Sequence, residues 1–292
     1  MLHTAATSHS RIWLAWGTEP STAIALATMT AVYAMGVRVA WTHAGRGRGI
    51  RISQASWFAA GVLVLVVALA SPIDAMSDDL FAAHMVQHLL LATVAPPLLL
   101  LGAPVPAVLW ALPPAPRRRA ARWAARTRLR RVWHALTAPA AAWLIHALAI
   151  WAWHMPRLYQ LALRSAPMHA LEHICFVGSA VLVWWVIVHP RQARRTGYAV
   201  GILTLFGTAM QTGALGALLT LSRSAWYPAH AAGAASWGLT ALEDQQLAGL
   251  IMWVVGGLLY VLAMSVLFVA WLEAKHPNRP RPEDLTLAAE VA

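Results

Sequence analysis

Seven apolar runs, near residues 21–41, 55–72, 80–102, 137–155, 167–188, 198–221 and 246–272, constrain this chain more than any other feature. A helix crosses the hydrocarbon core of a bilayer in about 20 residues, and each run approaches that length. Inside lipid, every backbone N–H and C=O must find a partner within the protein, which for runs this long leaves the α-helix. The composition agrees. The chain is 59% hydrophobic and 11% charged, whereas soluble domains carry roughly 25% charged residues. The expected fold class is all-α, a polytopic membrane helix bundle with seven transmembrane helices. It forms a single domain over 1–276, followed by a polar, proline-rich tail at 277–292 that is expected to be mobile and cytoplasmic.

The net charge of +11 does not mean nucleic-acid binding, because the basic residues lie in loops between apolar runs, where topology explains them. Four sit around the first loop (Arg38, Arg46, Arg48, Arg51). Eight lie between the third and fourth runs (Arg117, Arg118, Arg119, Arg122, Arg126, Arg128, Arg130, Arg131). Three lie between the fifth and sixth (Arg191, Arg194, Arg195), and three in the tail (Lys275, Arg279, Arg281). The opposite side has only Arg11, Arg157, Arg164 and Arg223. By the positive-inside rule the N-terminus is outside and the C-terminus cytoplasmic. The start of the chain, with His3, His9 and Arg11, has no apolar core of a cleavable signal, so the first run is expected to act as a signal-anchor. The arginine-rich third loop is expected to lie as a helix on the anionic inner leaflet. Pro96-Pro97 should kink or end the third run, leaving 105–112 as a short re-entrant or interfacial piece. Cys175 is the single cysteine, which excludes an intrachain disulfide and thiolate-rich metal sites.

This topology sorts the histidines. His84-Met85-Val86-Gln87-His88 and His169-Ala170-Leu171-Glu172-His173 each place two imidazoles one turn apart on one helix face. Both pairs fall in the first turns of runs that start outside, and His154 ends the fourth run at the same level. Met85 sits at that level too, as does Asp244-Gln245 at the start of the seventh run, with Met252 two turns below. Ionisable side chains within membrane helices are rare and mark functional sites. Imidazole with thioether is a ligand set that favours copper, Cu(I) in particular. Asp74, Asp78 and Asp79 read as a solvated outer loop, and Trp143, Trp151, Trp153, Trp226, Tyr227 and Trp237 as an outer aromatic belt.

Other chemistries can be weighed on the same residues. H-x-x-E-H is also an inverted zinc-protease motif, with Glu172 as the base. The matching position of the other pair, however, is Gln87, which cannot serve as one. A haem b needs one histidine from each of two facing helices, which the supply permits, although arginines for its propionates are scarce outside. A transporter calls for internal repeats and a midplane site, and no longer repeat accompanies the two histidine patterns.

His84-Met85-Val86-Gln87-His88 followed by Ala95-Pro96-Pro97-Leu98-Leu99-Leu100-Leu101-Gly102-Ala103-Pro104 resembles the signature of the CtaG family. These are membrane assembly factors of caa-type cytochrome c oxidase. Trp153-His154-Met155-Pro156 with Tyr159 resembles a second block, and His169-Ala170-Leu171-Glu172-His173 with Phe176 and Trp184-Trp185 a third. The run from Asp244 through Gln245 and Gln246 to Met252-Trp253 resembles a fourth. The resemblance extends from about Asp74 to Trp271. It implies a multi-pass protein of the bacterial plasma membrane that helps mature a haem–copper oxidase by supplying copper.

The resulting expectation is a non-enzymatic assembly factor. It would bind copper, as Cu(I), at the outer leaflet and pass it to apo-oxidase subunits, with an extracytoplasmic copper donor as a further partner. The ligand candidates are His84, His88, His154, His169 and His173, with Met85, Met252 and Asp244 as weaker ones. Gln87, Glu172 and Gln245 would orient them. A metal-free structural scaffold and a haem b electron carrier are the alternatives. Whether the histidine pairs form one site or two is left open.

Overall fold

The computed structural model describes residues 12, 14–17, 19–124, 127–189 and 196–275. The histidines and arginine of the first 11 residues, Arg126, Arg191, Arg194, Arg195 and the tail 277–292 lie outside the described residues. Among those described, every regular element is helical. In chain order they are α1 (Pro20–Ala44), α2 (Ile52–Ala70), α3 (Pro72–Asp79), α4 (Phe81–Leu101) and α5 (Pro104–Ala111). Next come α6 (Pro114–Ala124), α7 (Thr127–Leu136), α8 (Pro139–Trp153), α9 (Pro156–Arg164) and α10 (Ala166–Val188). The chain continues through α11 (Thr196–Leu221), α12 (Ala231–Ser236) and α13 (Ala241–Ala274).

Six of these helices are long and apolar enough to cross a membrane, or up to seven if the pair Arg128–Leu136 and Pro139–Trp153, bent by 64°, counts as one span. The fourth apolar run is where sequence and structure differ. α8 has only 15 residues, about 22 Å of helix, because proline brackets it. Pro139 occupies the first helical turn, where its missing N–H leaves no bond unmade. Pro156 opens α9 just beyond the other end. The arginine-rich loop forms two helices, α6 and α7, consistent with the expected helical character.

The prolines of the third run do not stop it. Residues Leu90–Val94 widen into a π turn, in which Ala95 N–H reaches the Leu90 carbonyl, and the helix resumes to Leu101. Pro96 and Pro97 leave the carbonyl of Ala92 without a backbone donor in either the α or the π pattern. The Trp184 indole N–H of α10 donates to that oxygen at 3.2 Å. The run ends at Gly102, and Ala103 turns the chain with φ of 50°. α5 then returns along α1, where Gly36 abuts the Ala107 carbonyl so closely that no Cβ would fit. The Tyr33 hydroxyl donates to the Gly102 carbonyl at 2.7 Å, and the Tyr33 ring stacks on Phe58 at 3.6 Å. The 105–112 piece is thus a short helix packed on α1.

α11 and α13 cross through Gly216 and Gly249, each of which would collide with the other's backbone if it carried a Cβ. Small residues that let backbones approach are the usual means of helix association in lipid. A second π turn, Ile251–Val255, interrupts α13 beside this crossing. Such turns are frequent at functional sites, and the two π turns flank the histidines described below.

Replacing Trp184 with Phe leaves the Ala92 carbonyl unsatisfied in the interior. The expected loss is about 1–3 kcal/mol, read as a lower midpoint of thermal unfolding in detergent. An unchanged midpoint would mean that this bond does not support the proline segment.

Candidate metal centre

The first turns of α4 and α10 and the last turn of α8 meet at one end of the bundle. α4 begins with an unusual cap. Its own preceding residue, Leu80, supplies no side-chain cap, and the free first-turn N–H groups of Phe81 and Ala82 donate instead to the two carboxylate oxygens of Asp244, at 2.8 and 2.9 Å. Asp244 is fully buried and belongs to the first turn of α13, itself capped by a reciprocal Thr240–Glu243 pair. A carboxylate on helix N-terminal amides forms charge-assisted bonds and complements the helix dipole. Asp244 therefore ties the start of α13 to the start of α4 and sets the height of His84 and His88.

His84 and His88 are buried, with 1% and 5% of their surface exposed, and their ring centroids are 4.1 Å apart. On α10, His169 and His173 are half-buried, with centroids 4.3 Å apart. The two pairs face each other: His84 lies 5.5 Å from His169 and His88 5.5 Å from His173. The four imidazoles therefore form one four-cornered cluster, not two separate pairs. Glu172, fully buried, lies on the same side, with one oxygen 3.9 Å from His88 Nε2. Ligand atoms of His84, His88 and Glu172 lie within 4.8 Å of one another.

This cluster is rich in unmet polar atoms. Nε2 of His84, His169 and His173, both ring nitrogens of His88 and both carboxylate oxygens of Glu172 are buried without a hydrogen-bond partner. Buried polar groups in proteins nearly always have partners. Imidazole lone pairs and a carboxylate converging in a buried site are what a cation would satisfy.

His154 caps the end of α8 and lies 6.2 Å from His88 between ring centroids. Its Nδ1 donates to the Ile150 carbonyl at 2.7 Å, and its Nε2 faces the Met85 sulfur at 3.3 Å. Met252, in the π turn of α13, lines the same small cavity as Met85, His88 and His154. The remaining sequence candidates do other work. Asp244 caps α4, as described. Gln87 turns away from the imidazoles, where sequence had it orienting them. Its amide donates to the Ala68 carbonyl at 2.9 Å and to Asp74 at 2.6 Å, because residue 87 faces α2 and α3 when 84 and 88 face α10. Gln245 fixes the loop after α11, accepting from Trp226 N–H and donating to the Ser224 carbonyl at 3.2 Å.

Three residues of the site were not singled out as ligands or supports from sequence. Tyr159 is 1% exposed, its ring 5.3 Å from His84, and its hydroxyl bonds His230 Nε2 at 2.6 Å. Tyr227, expected in an aromatic belt, is buried and donates to the His154 carbonyl at 2.6 Å. His230, in the loop between α11 and α13, is buried 6.4 Å from His84. No spacing rule links a loop histidine to helices 60 or more residues earlier, so only the packed structure reveals them. Asp74 is half-buried rather than solvated, and burial lifts its carboxyl to about 6, against the opposing hydrogen bond from Gln87.

The described residues thus form an all-helical bundle of apolar, membrane-length helices with a buried imidazole–carboxylate cluster at one end. Residues 31–274 match the sequence model of the cytochrome c oxidase caa3 assembly factor family, so the chain belongs to that family. Among curated proteins, uncharacterized proteins of Mycobacterium bovis (strain ATCC BAA-935 / AF2122/97) and Mycobacterium tuberculosis (strain CDC 1551 / Oshkosh) are each 25% identical over 240 residues. Each alignment covers 77% of this chain and 35% of the relative, so the chain spans about a third of their length. No solved structure matches.

Two outcomes follow for the groups that hold the site in place. Substituting Asp244 with Ala removes two charge-assisted bonds from buried amides, and a loss of about 2–4 kcal/mol is expected in detergent unfolding. A neutral result would sever α13 from the positioning of α4. For Asp74, the folded state holds its proton more tightly than the unfolded chain, whose reference value is 3.8. Its contribution is therefore neutral below that value, turns destabilising as pH rises from there, and is fully destabilising above about 6. Asp74→Asn should leave the unfolding free energy unchanged near pH 4 and raise it above pH 6, by about 1 kcal/mol once solvent screening of a half-exposed group is allowed for. A midpoint shift independent of pH would contradict this.

Proposed function

We propose that this chain is a copper-binding assembly factor that supplies Cu(I) to a haem–copper oxidase from the outer leaflet of the bacterial plasma membrane. The observation that carries the reading is the single cluster of His84, His88, His169, His173 and Glu172, whose buried ring nitrogens and carboxylate oxygens lack partners. Family membership supports the process, since the matching family is an oxidase assembly factor. The chain crosses the membrane seven times in this reading, with α7 and α8 together forming the fourth crossing. The arginine distribution supports an outside N-terminus and a cluster at the outer face.

The donor set fits the ion. Neutral imidazoles bring no charge into a low-dielectric region, and one carboxylate balances one monovalent cation. Imidazole suits copper and zinc rather than magnesium or calcium. His84 and His88 are held by the capped first turns of α4. Half-buried His169 and His173 lie on the more open side, where an incoming or departing ion would exchange ligands. Oxidase subunits docked in the bilayer would receive the ion, and an extracytoplasmic donor would load it. No bond of a substrate is made or broken, so the role is non-catalytic. A porphyrin fits the site poorly: the cavity beside the cluster holds about 40 Å³, whereas pockets for molecules of that size run to several hundred Å³.

Purified full-length protein reconstituted with Cu(I) under reducing conditions should retain copper through a competition with a chromogenic Cu(I) chelator. His88→Ala combined with His173→Ala should weaken that retention at least tenfold and lower oxidase copper content in cells. A wild-type protein that holds no copper above background, but whose deletion still blocks oxidase assembly, would favour the metal-free scaffold.

A further inference from the structure

We infer that the chain holds a second, sulfur-containing Cu(I) position next to the imidazole cluster, formed by Met85, His154 and Met252 around the cavity that reaches inward to His146. This rests on the copper reading above and deepens it, giving the ion a path from the cluster into the bundle.

The geometry around His154 points to it. The Ile150 carbonyl can only accept, so His154 Nδ1 carries a proton and donates to it at 2.7 Å. In the neutral ring Nε2 then holds a lone pair, and it faces a thioether sulfur, which also has only lone pairs, at 3.3 Å. Two lone-pair donors in contact at this distance are placed to share a cation. A proton would make His154 an imidazolium in the apolar bundle, which is costly. A soft monovalent cation carries the same charge, but it bonds both atoms at once and can add the Met252 sulfur from the same cavity. The spacing suits one: bond lengths of about 2.0 Å to nitrogen and 2.3 Å to sulfur put two tetrahedral ligand atoms about 3.5 Å apart.

The surroundings extend the argument. The cavity of about 40 Å³ is lined by Met85, His88, His146, His154, Met252 and Tyr260, among others. It brings two thioethers and three imidazoles to one space. His146 is 1% exposed, anchored through Nδ1 to the Ser179 hydroxyl at 2.9 Å, and stands two helical turns below His154 on α8. His88, with neither ring nitrogen bonded, belongs both to the cluster and to this cavity. It is the shared ligand through which the ion exchanges: a bond to a cluster imidazole breaks as the bond to Met85 or His154 forms, with no change of oxidation state. The first position has a carboxylate and no sulfur, and the second has sulfur and no carboxylate. Copper in the second would be held as Cu(I) specifically, since thioethers are soft ligands.

The test uses the purified full chain loaded with Cu(I), with metal stoichiometry and copper-edge X-ray absorption as readouts. The expected result for wild type is two copper ions per chain, with a sulfur scatterer near 2.3 Å, the usual metal–sulfur length. Met85→Leu with Met252→Leu conserves volume and should bind one copper with nitrogen and oxygen scatterers alone. His169→Ala with His173→Ala should keep the sulfur signal and lose copper from the cluster. One copper with no sulfur in wild type would overturn the second position and leave the cluster reading intact. So would one copper whose sulfur signal survives both methionine changes, since Cys175 or another methionine would then be its source. No copper at all would overturn both.

Discussion

The bond from Asp244 to the first amides of α4 is the constraint on which the rest of this site depends. It joins the start of α13 to the start of α4 across 163 residues of chain. It satisfies two N–H groups that would otherwise be orphaned at a buried helix end. It fixes the height of α4 against α13, and with it the level at which His84 and His88 meet α10. It also brings Met252, two turns along α13, to the level of Met85. A carboxylate that reads as a metal ligand from its position in the sequence is instead the clamp that aligns the ligands.

Around that clamp the bundle tolerates irregular backbone where it borders the site. Both π turns lie in the clamped helices, at Leu90–Val94 and Ile251–Val255. The first absorbs two prolines with help from Trp184, and the second carries Met252 into the cavity wall. Unsatisfied backbone in lipid is expensive, so each irregularity is matched by a side-chain donor or a close glycine crossing. Unmatched polar atoms are concentrated in the histidine cluster, where His84, His88, His169, Glu172 and His173 together contribute seven.

Much of this was legible in the residues. Apolar runs located α1, α2, α4, α10, α11 and α13 to within a few positions, because a lipid-embedded helix needs length and apolarity and little else. The i, i+4 spacing of His84 with His88 and His169 with His173 gave each pair a common helix face. The fourth run was less readable, since Pro139 and Pro156 cut its helix short while its hydropathy continues. Gln87 misled for a simple geometric reason: one position before His88 is about 100° around the helix, which turns its amide toward Ala68 and Asp74.

The sequence by itself determined the all-helical membrane class, the pairing of imidazoles along two helices and the family to which the chain belongs, since these follow from periodicity, hydropathy and local motif. Only the tertiary structure decided that the two pairs close into one cluster, that Glu172 joins it and Gln87 and Asp244 do not, and that His154 faces Met85. Those are matters of how helices rotate and slide against one another. That relation is set by long-range contacts such as the Asp244 clamp and the Gly216–Gly249 crossing, which local spacing does not encode.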